Sequence, residues 1–364
     1  MGNMGNNLGL LTFHFADNYG ALLQTYSLFR KLTQYNEEVE IINFCPSEHS
    51  RGLYFIKCTN IKSIVTNLLR LFYLGKWLKR RASFLNFRTS FLKMSPKYED
   101  IDSIDFGRYG TLITGSDQTF NLKYPFTEVY YLPFTKRIGQ KKIAYAPSFG
   151  SMCVADLDSK HIELLNNFDY ISCREEAAAE KLTERLGREV SFVLDPVFLT
   201  SKEDWELMID DDYLDDTYVF IYDLNGRFEI FNIAMNLFPN SRFIAFSNDI
   251  LFPLKFNKSN VIFIQDLTVT DFLKYIHKAK AVVTDSFHGT AFSIIFQKEF
   301  YVYISLEAAS DRIKSLLTAL NLSDRIITSQ SHTETEIDYN GVNRLLKSMI
   351  SESEQFIDNA LNEK

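Results

Sequence analysis

Residues 8–44, LGLLTFHFADNYGALLQTYSLFRKLTQYNEEVEIINF, carry the pattern from which the architecture of this 364-residue chain follows. The stretch opens on a short apolar run at 8–13 and continues with apolar residues at helical spacing over 22–32. It ends on the β-rich EVEIINF at 38–44. Strand, helix and strand in this order predict a βαβ unit, whose two strands lie parallel in one sheet.

The same alternation of strands and helices continues along the chain. Further strands that run into polar loops are predicted at 111–115, 142–146, 170–174, 190–196, 217–224, 242–246, 261–264, 280–285 and 300–304. Helices are predicted at 175–187, 228–238, 270–279 and from about residue 290. Because the pattern restarts after Pro196, we predict an α/β fold with two doubly wound Rossmann-like domains. The active site of such a protein lies in the interdomain cleft, at the carboxyl ends of strands.

The same pattern sets the predicted domain limits. The N-terminal α/β domain takes residues 1–198, with a basic helical insertion at about 51–97. The C-terminal α/β domain takes residues 199–335, and residues 336–364 form a C-terminal helix that is able to cross back to the first domain.

The composition is that of a globular protein with 46% apolar, 15% aromatic and 23% charged residues. With only 8 Pro and 15 Gly, it excludes disorder as a description of the whole chain. We find no leader pattern at the start and no run of the roughly 20 apolar residues that a membrane span needs. Four widely spaced cysteines without a C-x-x-C pair predict neither a zinc site nor a disulfide framework. These features predict a cytoplasmic protein.

The charge is unevenly distributed, although the net value is only −7. Residues 51–97 contain eleven Lys and Arg and no Asp or Glu, which leaves 28 basic against 46 acidic residues elsewhere. Within this stretch, residues 68–88 mix cations with Leu, Phe, Tyr and Trp. A basic, aromatic helix of this kind lies on an anionic membrane surface at the inner face of the cytoplasmic membrane, or receives an anionic ligand. The alternative is a helix packed on its own domain with solvated cations. The acidic body argues against nucleic acid as a partner.

Two loops of the first half carry polar residues after a predicted strand. Asn18 and Gly20 stand at the start of a helix, where free N–H groups attract phosphate or carboxylate. The alternative is that Asn18 caps the helix and Gly20 relieves packing. In GSDQTFN (115–121), Asp117 is a candidate to bind a sugar hydroxyl or orient a base, and Gln118 follows it. The alternative is an Asx-turn that caps the next helix.

Two further loops carry residues suited to proton transfer and anion binding. Arg174 ends a strand, and a guanidinium there clasps a carboxylate or phosphate bidentately. The alternative is a salt bridge from Arg174 to Glu175 or Glu176. These two residues open the next helix, where acidic side chains are favourable without any functional role. In TDSFHGTAFS (284–293), His288 precedes Gly289 on a loop at the mouth of a helix. A general acid or a phosphate-binding imidazole is held at such a position. Among the other histidines, only His14 has partly comparable surroundings.

Five stretches together resemble the polysaccharide pyruvyl transferase family, occur in the family's order and span about residues 10–325. They are NYGALLQTYSL (18–28), TGSDQTFN (114–121), AYAPSFG (144–150), ISCREEAAAEKL (171–182) with LDPVFL (194–199), and VVTDSFHGTAFSIIFQKEF (282–300).

The resemblance implies a two-domain fold like that of the GT-B glycosyltransferases and a pyruvyl transferase activity. The pyruvyl group of phosphoenolpyruvate moves onto a sugar of a surface polysaccharide precursor as a cyclic ketal, and phosphate is released. Neither a metal nor an organic cofactor is required. The acceptor is implied to be a nucleotide-linked or polyprenyl-diphosphate-linked sugar.

Carried over position by position, the resemblance assigns roles to the loop residues. By this resemblance His288 is the catalytic acid/base and Arg174 holds the donor. Independently of the resemblance, the chemistry of the donor leads us to expect that the helix start after Gly289 receives phosphate charge. We also expect that Asp117, Asn18 and Gln118 face the acceptor.

The chain departs from the pattern at Ser286, where some family members have an arginine that contacts phosphate. Ser286 itself, the N–H groups of Gly289 and Thr290, or Arg312 are the candidate substitutes. The departure keeps open a noncatalytic scaffold of a polysaccharide assembly complex, and the architecture keeps open a GT-B nucleotide-sugar glycosyltransferase.

Overall fold

The computed structural model describes residues 7–36, 38–46, 56–210, 217–304, 311–327 and 335–362. Residues 51–55 of the predicted basic insertion therefore lie outside the described residues.

The described residues form two six-stranded sheets in which every neighbouring pair of strands is parallel. The first sheet, in the order β2-β1-β3-β4-β5-β6, consists of β1 (Leu8–Leu11), β2 (Val39–Ile41), β3 (Thr111–Thr114), β4 (Lys141–Ala144), β5 (Tyr170–Cys173) and β6 (Ser191–Phe192). The second, in the order β12-β11-β10-β7-β8-β9, consists of β7 (Tyr218–Asp223), β8 (Arg242–Ser247), β9 (Val261–Phe263), β10 (Ala281–Thr284), β11 (Glu299–Tyr303) and β12 (Ile326–Ile327). We call the elements from β1 to β6 the first lobe and those from β7 to β12 the second lobe.

Helices connect the strands and cover the sheets. They are α1 (Tyr19–Leu32), α2 (Ile61–Leu71), α3 (Leu74–Phe91), α4 (Ser159–Asn166), α5 (Glu176–Leu186), α6 (Lys202–Glu206), α7 (Phe228–Leu237), α8 (Phe252–Lys255), α9 (Val269–Lys278), α10 (Phe287–Ile295), α11 (Asp311–Ala319) and α12 (Tyr339–Asn362). Short 3₁₀ helices lie at Ile101–Ser103, Phe106–Arg108, Thr127–Tyr131, Val154–Asp156, Pro196–Leu199 and Ser323–Arg325. Within the described residues, no helix combines the length and apolar character needed to cross a bilayer.

The central strands are continuous apolar runs, because helices cover both faces of a parallel sheet. All six residues of β7 and all four of β10 are buried. In each sheet the strand order reverses beside the first strand of the lobe, between β1 and β3 and between β7 and β10. Such reversals open a crevice at the carboxyl ends of the strands. The predicted fold class, with two doubly wound Rossmann-like sheets, is confirmed.

Two predicted element limits are wrong, and capping chemistry explains both. Helix α10 begins at Phe287 rather than near 290, because Ser286 is extended and its Oγ accepts from the N–H of Gly289 at 3.3 Å. His288 therefore lies in the first turn of α10 and not on the preceding loop. The strand predicted over 190–196 is only Ser191–Phe192, because Asp195 caps a 3₁₀ helix that starts at Pro196.

The two lobes share a continuous apolar core. Tyr19 at the start of α1 stacks on Phe272 of α9 with ring centroids 5.4 Å apart, and its hydroxyl donates to the carbonyl oxygen of Leu267 at 2.8 Å. The Trp205 ring of α6 meets Phe292 of α10 edge-on at 5.1 Å. These contacts fix the start of α1 against the second lobe, which matters for the site described below.

Helix α12 contacts both lobes. At its start, the Tyr339 hydroxyl donates to the carbonyl oxygen of Lys298. Further along, the Oγ of Ser353 accepts from the N–H of Leu194 at 2.9 Å, and Glu354 pairs with Lys31 at 2.6 Å. The helix thus links the two halves, while the exact domain limits at 198 and 335 stay predictions.

Candidate active site

A buried ion pair joins the ends of two neighbouring strands. Arg174 follows β5 and Asp195 follows β6, and Nη1 of Arg174 donates to Oδ2 of Asp195. The Arg174 side chain is 2% exposed and that of Asp195 is fully buried. The N–H of Val197 donates to the other Asp195 oxygen at 3.1 Å, which holds the carboxylate in place. Arg174 thus forms its ion pair with Asp195 and not with Glu175 or Glu176 at the start of α5.

The charge state of Asp195 follows from its neighbours. Burial by itself raises the pKa of a carboxyl group, but the Arg174 guanidinium and the His288 imidazole outweigh it. They hold the pKa of Asp195 well below its usual range. Asp195 is therefore a fixed negative charge at the centre of the site.

His288 reaches the same carboxylate from the other lobe. Its Nε2 lies 3.6 Å from Oδ2 of Asp195, the oxygen that Arg174 also contacts. Among the described residues this buried Nε2 has no hydrogen-bond partner at normal distance. The guanidinium and the imidazole singled out from the sequence therefore converge on one carboxylate oxygen between the lobes.

The His288 ring packs directly against the backbone of Gly20, in the space that a side chain there would occupy. A Cβ built at Gly20 would lie 2.0 Å from Nδ1 and 2.1 Å from Cγ of His288. No real Cβ approaches another atom so closely, so the ring occupies the space that any other residue would fill. Gly20 thus has a packing role, one of the two alternatives open from the sequence.

A Gly20→Ala variant is expected to push the His288 ring away from Asp195 and to lower stability by about 1–3 kcal/mol, as overpacking does. The loss is measured by urea unfolding of the variant beside wild type. Gly75→Ala is the matched control, because a Cβ added there in α3 would meet no described atom within 4 Å apart from its chain neighbours and the helix's own backbone. We expect the control to gain about 0.5–1 kcal/mol from helix propensity. Equal stability changes for the two variants would contradict the packing argument.

Asp117 lies beside the ion pair and meets two guanidinium groups. Its Oδ1 lies 3.4 Å from Nη2 of Arg174 and 3.6 Å from Nη1 of Arg312. The residue has φ 69°, and its carbonyl oxygen accepts from the N–H of Ser148 at 2.7 Å. Asp117 does not cap a following helix, because the next helical turn begins at Thr127. Burial and the nearby Arg174 lower the pKa of Arg312.

Asn18 and Gln118 are engaged in local hydrogen bonds. The Asn18 Oδ1 accepts from the N–H of Ala21 at 3.1 Å, so Asn18 is the N-cap of α1. The Gln118 Oε1 accepts from Nδ2 of Asn121 at 2.8 Å. Any contact of these two side chains with a substrate stays a prediction.

The start of α10 has less hydrogen-bonding capacity than the sequence suggested. The N–H of Gly289 donates to Oγ of Ser286, and the N–H of Thr290 donates to the carbonyl oxygen of Ser286 at 3.0 Å. The Thr290 hydroxyl donates to the same carbonyl at 2.9 Å. These groups are used within the helix, so Arg312 is the candidate phosphate contact that the structure brings to the cluster.

His14 is held by hydrogen bonds within its own lobe. Its two ring nitrogens lie 3.0 Å from the carbonyl oxygen of Thr12 and from Oδ1 of Asn43. Burial lowers the pKa of His14. The surroundings are those of a structural histidine.

Sequence reasoning missed two carboxyl groups of the site. Asp195 was visible only as part of LDP after a strand, and the adjacency of β5 and β6 is what places it beside Arg174. Glu175 was set aside as a helix-start residue, yet it is buried and accepts from the hydroxyl of Ser148 instead of capping α5. Burial raises the pKa of Glu175. The signal for both was position, since each stands at the carboxyl end of a strand.

A cavity of about 400 Å³ opens beside Glu175 between the lobes. The first lobe contributes residues 149–154 and parts of 175–181, and α11 of the second lobe contributes Lys314, Ser315 and Thr318. The cavity thus has carboxyl, ammonium and hydroxyl groups in its wall. No group of three or more His, Cys, Asp and Glu side chains suited to a metal ion occurs within the described ranges.

The comparisons with known proteins bear on the family and the fold of the chain. The family model described as polysaccharide pyruvyl transferase matches residues 18–305. MnaA of S. aureus, solved with UDP, superposes with a TM-score of 0.53 at 11% identity, over 97% of this chain and 95% of that one. A putative UDP-N-acetylglucosamine 2-epimerase from Listeria monocytogenes superposes with a TM-score of 0.52 at 11% identity, over 99% and 98%. No curated protein matches the sequence. At this identity the solved structures establish the GT-B-like fold alone.

Proposed function

The chain belongs to the polysaccharide pyruvyl transferase family, and we propose that it moves the pyruvyl group of phosphoenolpyruvate onto a sugar as a cyclic ketal. The observation that carries the proposal is the meeting of Arg174 and His288, from opposite lobes, at Asp195. A cation and a proton carrier at one point are what a small anionic enol ester requires.

The donor is proposed to bind where Arg174 and Arg312 face Asp117. Both guanidiniums contact Asp117 only at 3.4 and 3.6 Å, beyond the distance of a strong charged hydrogen bond. A donor carboxylate or phosphate that enters there exchanges these long contacts for short ones. The tight pair of Arg174 with Asp195 stays intact and keeps the guanidinium oriented. Arg312 thereby supplies the cation that the Ser286 position lacks.

The proposed reaction begins with proton transfer from His288 to the methylene carbon of the donor. The adjacent carbon gains cationic character, and one sugar hydroxyl attacks it and loses its proton. The carbon–oxygen bond to phosphate then breaks, and a second hydroxyl of the same sugar closes the ketal. One hydroxyl proton restores His288 and the other leaves with the phosphate, so the charges and atoms balance. The ionised Asp195 gives the protonated imidazole a counter-ion.

The acceptor is proposed to occupy the cavity beside Glu175. Lys181 of α5 and Lys314 of α11 line that cavity, one from each lobe, and suit the diphosphate of a carrier, while Glu176 and Asp311 also line it. The Glu175 carboxyl, whose Oε2 has no partner among the described residues, suits a sugar hydroxyl. A nucleotide-linked or polyprenyl-diphosphate-linked sugar fits this description, and the fold relative MnaA was solved with UDP.

Phosphoenolpyruvate is expected to stabilise the protein against heat, since a ligand at a hundred times its dissociation constant adds about 2.7 kcal/mol. Arg312→Met is expected to remove most of this thermal shift, because it removes a guanidinium that is available to the donor. The Arg312 side chain is 21% exposed and contacts Asp117 only at 3.6 Å. Arg30→Met, on a surface pair of α1, is the matched control and keeps the shift.

The same thermal scan separates the competing functions. A shift with UDP-sugars and none with phosphoenolpyruvate supports a glycosyltransferase. No shift with either supports a noncatalytic scaffold. A shift with inorganic phosphate equal to that with phosphoenolpyruvate contradicts recognition of the whole donor.

A further inference from the structure

Helix α2 presents its apolar side to solvent. Ile61 is 80% exposed, Leu68 55% and Phe72, directly after the helix, 84%. Ile64 and Val65, at 49% and 48%, lie on the same face, because residues three, four and seven apart share one side of a helix. The outward face of α2 is thus a continuous apolar strip.

The polar side of α2 is its less exposed side and contacts residues 56–60, which precede the helix. Ser63 is the buried residue of this helix, and it forms a capping box with Asn60. The Asn67 Nδ2 donates to the carbonyl oxygen of Ile56 at 2.8 Å, and Asn67 and Thr66 are half-buried. A surface helix of a globular protein has the reverse orientation. The inversion indicates that the apolar strip has a partner outside the chain.

The charges around the strip are cationic. The stretch 51–97 has no acidic residue, and Lys57, Lys62, Lys76 and Arg81 are exposed. Lys62 borders the apolar strip, since it is about 100° around the helix from Ile61. An exposed apolar strip with Lys62 at its border and further exposed cations in the same stretch complements an anionic bilayer surface.

Other cations of the stretch are structural, which separates them from the exposed set. Arg88 donates to the carbonyl oxygens of His14, Phe15 and Ala16 at 2.7–3.0 Å. Lys79 pairs with Asp266 of the second lobe at 2.8 Å. Their role is to seat α3 across the lobes, not to meet a partner.

Helix α2 leads directly into α3, whose start packs against the second lobe. Tyr73 and Trp77, at the start of α3, pack against Ile250 and Leu251 of the second lobe. The Arg80 guanidinium lies over the Phe246 ring at 5.6 Å. The start of α3, which follows α2 directly along the chain, is therefore fixed against the second lobe.

We propose that α2 docks on an anionic lipid bilayer. Its apolar strip enters the boundary between headgroups and acyl chains, and Lys57, Lys62, Lys76 and Arg81 contact lipid phosphates. This binding does not depend on the proposed reaction. A second copy of the chain is the competing occupant of an exposed apolar helix.

The test is co-sedimentation of the full chain with vesicles of phosphatidylcholine and phosphatidylglycerol, compared with phosphatidylcholine alone. We expect binding to the anionic vesicles at low salt and release at high salt, because salt screens charges beyond about 8 Å at physiological strength. Leu68→Ser with Phe72→Ser is expected to reduce partitioning by at least about tenfold. Lys62→Gln with Lys76→Gln is expected to reduce it by about tenfold or more.

Matched controls lie elsewhere on the surface. Ile138→Ser and Leu207→Ser remove apolar residues that are 95% and 85% exposed and should leave vesicle binding unchanged. Binding that survives the α2 substitutions overturns the proposal. The proposal is also overturned if the protein does not bind vesicles and instead forms a dimer that Phe72→Ser abolishes. The thermal shift with phosphoenolpyruvate reports on the reaction site alone, so the failure of either proposal is recognised separately.

Discussion

A His288→Asn variant is expected to lose a factor of about 10² to 10⁴ in turnover, the usual contribution of a well-placed general acid. Asparagine retains a polar group near Asp195 but carries no proton that it can release near neutral pH. The ring contributes no hydrogen bond through Nε2 among the described residues, so the fold should persist. The loss is therefore expected in kcat and not in the amount of folded protein.

The measurement pairs phosphate release from phosphoenolpyruvate with mass analysis of the acceptor, over a panel of carrier-linked sugars. Circular dichroism and thermal unfolding establish that the variant is folded. His161→Asn is the matched control, because that imidazole lies on α4 and bonds Asp158, the N-cap of the same helix. Turnover near the wild-type value in His288→Asn would remove this residue from the proton transfer.

The fold was predictable from the sequence where the signal is local. Apolar runs such as β7 and β10 announce buried parallel strands, and the glycine after α5 ends that helix at residue 187 with φ 64°. The start of α10 was not predictable in this way. A serine hydroxyl decides it, and the same SFHG pattern reads equally well as a loop.

The site was predictable in part, because residues at the carboxyl ends of parallel strands gather at one edge of the sheet. This reasoning selected Arg174 and Asp117, whose side chains lie 3.4 Å apart, while their roles stay predictions. It passed over Asp195, since pairing depends on which strands are adjacent. It offered a packing role for Gly20 as one alternative but did not connect this glycine with His288, because their contact joins positions from opposite lobes.

The basic stretch illustrates a different limit of sequence reasoning. Its composition predicted an amphipathic helix that either packs on the protein or meets a surface. Only the seating of α2 through Ser63 and Asn67 distinguishes which face is outside. Hydrophobic periodicity defines the two faces of a helix and gives no information about which face is covered.

Asp195→Asn is expected to lower the free energy of unfolding by about 3–5 kcal/mol at neutral pH, because it leaves the Arg174 guanidinium buried without its partner charge. Asp204→Asn is the matched control. Its pair with Arg30 is more than one third exposed, so its loss should cost no more than about 1 kcal/mol. Urea unfolding measures both, and a double variant Arg174→Met with Asp195→Asn should recover part of the loss, since no charge is then left unpaired.

The pH dependence of this loss identifies its electrostatic origin. The pKa of Asp195 is lower in the folded chain than the value of about 3.9 in an unfolded one, so the folded state binds fewer protons at this carboxyl group. The stabilisation is therefore fully present above that unfolded value and declines as the pH falls towards the folded pKa. The difference between wild type and Asp195→Asn should be constant from about pH 5 to 7 and shrink below about pH 4. A difference that persists unchanged in acid would assign the loss to packing, and Asp195 would then no longer be the charge that holds Arg174 and His288 together.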